Sequence, residues 1–284
     1  MRDLKFPGLL ICDEFRRHLT MTPKQFLVRF SAISAVLAFG IATSPLFAPG
    51  LRAEQFRAAS NSQNSLSDLV SVNFEPPSRG APPVTAGGGS RGCGYTTDAT
   101  EQPTALMPSN FLARTAEKSP TFLLYVPQSS PALELRLLSK TNQKVVYKTA
   151  VAVPKESGIV KVSLPEEVSL DADEMYDWYL ISICDASDRT GDAVTSGSLE
   201  RVNPSKLKVD SGVTLEEALK TANLAERFSL YAKAGIWQDA LATLAQIHQT
   251  VPEDKGVTAS WEKLLQAGEF DRFAGVGFVE AGDS

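Results

Sequence analysis

Alternation of apolar and polar positions dominates residues 104–203 and gives way to helical spacing from residue 214. In "ALELRLLS" (132–139), Leu133, Leu135 and Leu137 share one face while Glu134 and Arg136 share the other, the period-two signature of a half-buried strand. "GIVKVSLP" (158–165) alternates in the same way around Val160, Val162 and Leu164. "PTFLLYVP" (120–127) and "YDWYLISIC" (176–184) are apolar on both faces, as strands covered from two sides would be. "TALMP" (104–108), "KVVYKTAVAV" (144–153) and "SGSLERV" (196–202) complete a set of seven. Seven short strands separated by turn residues predict an antiparallel sandwich of immunoglobulin type over 104–203.

The helical stretch, 214–268, opens on two capping boxes, Thr214 with Glu217 and Asn223 with Glu226. Gly235, Trp237, Ala240, Leu244, Ile247 and Pro252 then follow the second-half spacing of a tetratricopeptide repeat: a glycine turn, a small residue where helices approach, a proline stop. The first half fits less well, with Arg227 and Phe228 where leucine and glycine are usual. The expectation is one degenerate repeat and a capping helix around Trp261. A unit of this size has a marginal core of its own, so it should dock on the sandwich or on a partner. The fold class expected is therefore an all-β immunoglobulin-like sandwich followed by a small all-α tetratricopeptide-like unit.

The flanks read differently. "FSAISAVLAFGI" (30–41) is uncharged, preceded by Lys24 and Arg29, and shorter than the span of about 20 residues that a membrane helix needs. It fits the apolar core of a secretory signal, with cleavage after Ala53 or, alternatively, Ala42; an uncleaved anchor is the competing reading. Asp3, Asp13 and Glu14 suit such a leader poorly, so Met21 is the better start. Residues 54–103, rich in Pro, Gly, Ser and Asn, read as a partly disordered linker that becomes ordered near Cys93, and residues 269–284 as a frayed tail. Residues 1–53 carry seven Lys/Arg and three Asp/Glu, so removing them takes the net charge from −5 to −9. That balance disfavours nucleic acid and anionic membrane surfaces as partners.

Candidate chemistry is sparse. Gly87-x-Gly89-x-x-Gly92 has the spacing of a dinucleotide loop, but "APPVTA" precedes it instead of a strand and no helical pattern follows, so no nucleotide or other cofactor is expected. Cys93 and Cys184 are the cysteines left in a chain bound for an oxidising space, and the sandwich places them at one pole; a disulfide is expected. Asp185, Asp188 and Asp192 follow the sixth predicted strand, where they are either a solvated loop or calcium ligands. His248 is the one histidine after residue 53 and has no carboxylate near it in sequence. Trp237 and Trp261 fit helix packing; with Tyr231 and His248 they are also the side chains offered as partner-docking candidates.

The phrases "RGAPP", "GGGSRGCG", "TALMP", "PTFLLYVP", "GIVKVSLP", "YDWYLISICD" and "YAKAGIWQDALATLAQI" occur in order. Over roughly residues 75–267 this resembles the cyanobacterial secreted domain-of-unknown-function family 928. The resemblance implies a cyanobacterial, exported protein and supplies no reaction.

The function expected is a non-enzymatic interaction or adaptor module of the cell envelope, periplasmic or secreted, with a protein partner. Contact with the membrane would come only through an uncleaved leader. A glycan-binding or envelope-structural sandwich is the alternative, favoured if Tyr125 and Tyr179 lie exposed in a row. A hydrolase ranks third, since it needs His248 or an aspartate cluster to meet a serine in a cleft.

Overall fold

In the computed structural model, residues 68–77, 93, 101–210 and 212–280 are described. They belong to one unit, Pro49–Ser284. The expected leader, Met21, the cleavage sites and the glycines at 87–92 lie outside the described residues, as does most of the expected linker. No helix among the described residues is long and apolar enough to cross a membrane.

Strands β1 (Thr104–Ala105), β2 (Ala113–Thr115), β3 (Thr121–Val126), β4 (Ala132–Ser139), β5 (Val145–Val151), β6 (Gly158–Ser163), β7 (Glu174–Ile183) and β8 (Ala193–Arg201) form two sheets. Their orders are β1-β3-β6 and β2-β8-β7-β4-β5. The alternation read from sequence sets the register. Leu133, Leu135 and Leu137 of β4 lie opposite Ser182, Leu180 and Trp178 of β7, and all six are buried. Tyr176, near the start of β7, is buried, and its hydroxyl accepts the Asp171 N–H at 2.7 Å across the preceding corner.

Two corrections concern the strands. Among the described residues there are eight, because β2 was too short to be seen as a pattern. The set is also not wholly antiparallel, because β2 runs parallel to β8, pairing Ala113 with Leu199 and Thr115 with Arg201.

Four helices follow: α1 (Leu215–Thr221), α2 (Leu224–Lys233), α3 (Trp237–Thr250) and α4 (Lys255–Ala267). Both predicted capping boxes are formed, Thr214 with Glu217 and Asn223 with Glu226. Asp254 caps α4 by accepting the Val257 N–H. Gly235 turns α2 into α3 at φ +65°, a conformation that glycine takes without steric cost. Helix α3 packs on β2 and β3, and the buried apolar residues of helices and sheets form one continuous core. This explains why β3 is apolar on both faces: the second face lies under the helical layer, where Tyr125 stacks on Phe273 at 4.6 Å.

The flanks are corrected as well. Residues 68–77, assigned to the linker, dock on the helices. Leu69, in a 3-10 turn at Asp68–Ser71, is buried beside α4. Phe74 lies 5.2 Å from both Phe111 and Trp237, and the Glu75 N–H bonds the Ala232 carbonyl. A Cβ on Gly235 would stand 2.6 Å from the Glu75 carbonyl oxygen, so this glycine serves the close approach as well as the turn. The tail also returns to the sandwich. Phe273 is buried, and Phe278 bridges to Ile159 of β6 through Ile159 N–H to Gly277 O and Val279 N–H to Ile159 O.

Candidate functional site

The one strongly perturbed carboxyl group among the described residues lies where the helical layer meets the sandwich. The first turn of α3 directs Gln238 and Asp239 inward, and both are buried. Asp239 Oδ1 accepts the Thr115 hydroxyl at 2.7 Å, and Oδ2 accepts the Ala116 N–H at 2.6 Å. The Thr115 oxygen in turn accepts the Glu117 N–H at 3.1 Å. Helix α2 contributes Arg227 and Tyr231, four residues apart and so on one face. Tyr231 donates to Glu117 Oε1 at 2.7 Å, and Arg227 Nη2 pairs with the same oxygen at 3.1 Å. Gln238 Nε2 donates to the Thr121 carbonyl. A cleft of about 340 Å³ opens over this group, bounded by Lys161, Ser163 and Gln246 as well.

Burial pushes the Asp239 carboxyl up to about 7; the Ala116 N–H and Thr115 hydroxyl bonds oppose the shift and the Glu117 charge adds to it. Burial, with the charges of Asp239 and Glu117, holds the Tyr231 phenol above its usual range, so at neutral pH it is a donor and not a base. Each Asp239 oxygen already has a donor, and Glu117 holds Arg227 and Tyr231. Chemically the group works as a tie between β2 and two helices.

The pH consequence has a definite sign. The folded-state value of Asp239 lies above its ordinary 3.8, so the native state binds this proton more tightly. The stabilisation from that proton is fully present below about pH 4 and is lost as pH rises to about 7. We expect the denaturant midpoint of the wild type to fall, relative to Asp239→Asn, between pH 4 and 7, and the difference to be flat above. Parallel pH profiles for the two proteins would contradict this.

The sequence-predicted residues fall out as follows. Cys93 and Cys184 form the expected disulfide, with Cα atoms 4.8 Å apart. Tyr231, Trp237 and Trp261 are buried, and His248 is half-buried between the rings of Trp261 and Phe278, at 5.8 Å from each. As partner-docking candidates they are corrected: their rings fill the core and the contact with the tail. Burial also lowers the His248 pKa.

The aspartates after β7 act separately. Asp185 accepts from Ser187, Asp188 from Thr190, and Asp192 pairs with Arg189 and accepts the Cys184 N–H. No cluster of three His, Cys, Asp or Glu side chains suited to a metal ion exists among the described residues. Tyr125 is buried on β3 while Tyr179 lies on β7 of the other sheet, so the aromatic row that would favour glycan binding is not formed.

Sequence reasoning passed over Asp239, Glu117 and Gln238. One signal was present. Arg227 breaks the repeat pattern where leucine is usual, and a charge at an expected core position calls for a partner of opposite charge, which is Glu117 at the rim of the junction.

A second cleft, of about 330 Å³, lies between Pro77, Leu112 and the loop after β8. Arg114 pairs with Glu200 at 3.1 Å and Lys206 with Asp173 along its wall.

These features define a two-sheet body with helices fused to it through a shared core and a buried polar tie. Residues 86–277 match the family described as Domain of Unknown Function (DUF928), and the chain belongs to that family. Neither a curated protein nor a solved structure matches it.

Proposed function

We propose that this protein is a non-enzymatic interaction module of the cell envelope, exported from a cyanobacterial cell and held rigid by its disulfide. The observation that carries the reading is that the polar groups at the junction are engaged with one another and with the backbone. Asp239, Glu117, Arg227 and Tyr231 bond one another or the backbone, which fuses helices and sandwich into one body. A rigid body with a continuous surface suits partner docking, since little ordering entropy is lost on binding. The Cys93–Cys184 bridge supports an oxidising compartment.

The finer architecture supports the same class. The first strand is split, β1 joining one sheet and β2 running parallel to the last strand in the other. The five-stranded sheet reads, from β8, as the G-F-C-C′ order of an immunoglobulin variable-type domain. Tyr176 holds the corner before β7 as a tyrosine corner does. Gly235 at the turn and buried Ala240 between helices support a tetratricopeptide-like α2–α3 pair.

The test is site-specific photo-crosslinking in the native host, with the crosslinker at exposed Glu216 of α1 or exposed Lys144 beside β5. A discrete protein adduct from either position, in the extracytoplasmic fraction, is expected. Absence of adducts from both, with the protein recovered in cytosol and its thiols reduced, would overturn the reading.

A further inference from the structure

The two sheets have four lateral edges, and three receive a cover from elsewhere in the chain. Beyond β1, the Leu106 carbonyl accepts the Trp237 indole N–H at 2.9 Å. Beyond β2, the Ala116 N–H is taken by Asp239. Along β6, residues 277–279 add a short parallel bridge. Among the described residues, β5 pairs with β4 alone. In an antiparallel pair every second residue directs its N–H and C=O away from the partner strand, so β5 carries a row of outward backbone groups over its length.

Edge strands are commonly guarded by a lysine projecting from the rim. Lys148 stands in the middle of β5, but its ammonium is drawn back over the sheet, 3.0 Å from Glu134 Oε2, and Arg136 holds the other Glu134 oxygen. The guard is therefore turned away from the rim, and Val145 beside it is an exposed large apolar side chain. From Leu135 to Lys155 the chain holds Arg136, Lys140, Lys144, Lys148 and Lys155 and no Asp or Glu, with Glu134 and Glu156 flanking the stretch. Glu134 pairs with Arg136 and Lys148, and Asp177 with Lys140, so Lys144 and Lys155 are the cations of this stretch outside those ion pairs. Two copies meeting through β5 would set these lysines against each other.

We propose that the β5 edge accepts an extended, acidic segment of a partner protein as an added strand, giving a sixth strand beyond β5. The outward backbone groups of β5 supply the ladder, Val145 offers an apolar contact, and Lys144 and Lys155 at the two ends attract the acidic side chains. This deepens the interaction-module reading and rests on it.

The experiment uses purified, oxidised protein and two synthetic eight-residue peptides, one alternating valine with glutamate and one alternating valine with lysine. Amide exchange across the protein is followed by NMR at increasing peptide concentration. The glutamate peptide should slow exchange at alternate β5 amides, and rising salt should weaken its binding. The lysine peptide should do neither. Lys144→Glu with Lys155→Glu, at exposed positions outside the strand, should weaken the glutamate peptide by about tenfold and leave the protein's thermal midpoint unchanged.

Protection elsewhere and none at β5, equal protection by both peptides, or dimerisation through β5 that excludes the peptide would each overturn the proposal. A partner crosslinked at Glu216 alone, alongside a silent β5, would sink this proposal and leave the interaction-module reading standing.

Discussion

Cys184→Ser is expected to destabilise the oxidised protein by about 4–5 kcal/mol on the loop-entropy account. The bridge joins residues 91 apart with Cα atoms 4.8 Å from each other, so it closes a long loop in the unfolded chain at a separation normal for a disulfide. Cys184 directly follows β7, a central strand of the five-stranded sheet, whereas Cys93 precedes the first strand. The bridge thus pins the entry to the sandwich against its most firmly paired strand. Equilibrium urea denaturation should show Cys184→Ser and the reduced wild type with coincident midpoints, both well below that of the oxidised wild type. A difference of less than about 1 kcal/mol between oxidised and reduced wild type would mean that the crosslink contributes little beyond what the native contacts already fix.

The strands that sequence displayed were those with enough length for a period. β4 and β7 run for eight and ten residues and alternate or stay apolar throughout, and both are found near where they were expected. β2 has three residues, Ala113–Thr115, and three positions make no pattern. Its partner atoms come from a helix far along the chain, since Asp239 takes the Ala116 N–H. The flanks were misread for a related reason. Residues 72–77 hold the chain with one aromatic, Phe74, and the tail with Phe273 and Phe278, each set among polar or small residues. A single anchor in a composition typical of linkers gives no period, and its burial is decided by the surface that receives it.

The candidate site was hidden by the same logic. Asp239 lies within "AGIWQDAL", where a charged residue at a helix start reads as solvent-facing. It is buried because the first turn of α3 is inserted against β2 and β3, so residues on every side of that turn meet protein. Tyr231, Trp237 and Trp261 were offered as docking candidates because a helical unit this small was expected to dock on the sandwich or on a partner. It docks on the sandwich, and their rings lie within the shared core.

Trp237→Ala should therefore act on more than one helix, with a loss of about 3–5 kcal/mol. Trp237 is fully buried, and three separate pieces of chain meet on it. Phe74 of residues 68–77 and Phe111 of the β1–β2 connection stack edge-on at 5.2 and 5.5 Å. Phe270 of the tail lies at 6.2 Å, and the indole N–H holds the Leu106 carbonyl at 2.9 Å. A Cβ on Gly268 would stand 2.4 Å from the far edge of the indole, so the turn after α4 is shaped around the ring as well. Removing the ring leaves a cavity bordered by all of these segments. The expected outcome is a lowered denaturation midpoint together with early proteolytic cleavage near residues 72–77 and 270–280, while the β4–β7 pairing keeps its exchange protection. Trp237→Phe restores much of the packing without the hydrogen bond, and should recover the docking of Phe74 more than the order of the strand end at Leu106. If Trp237→Ala unfolds everything in one transition with no earlier cleavage at either flank, the flanks are held as strongly as the sheets, and Trp237 is an ordinary core residue instead of the point on which the pieces are assembled.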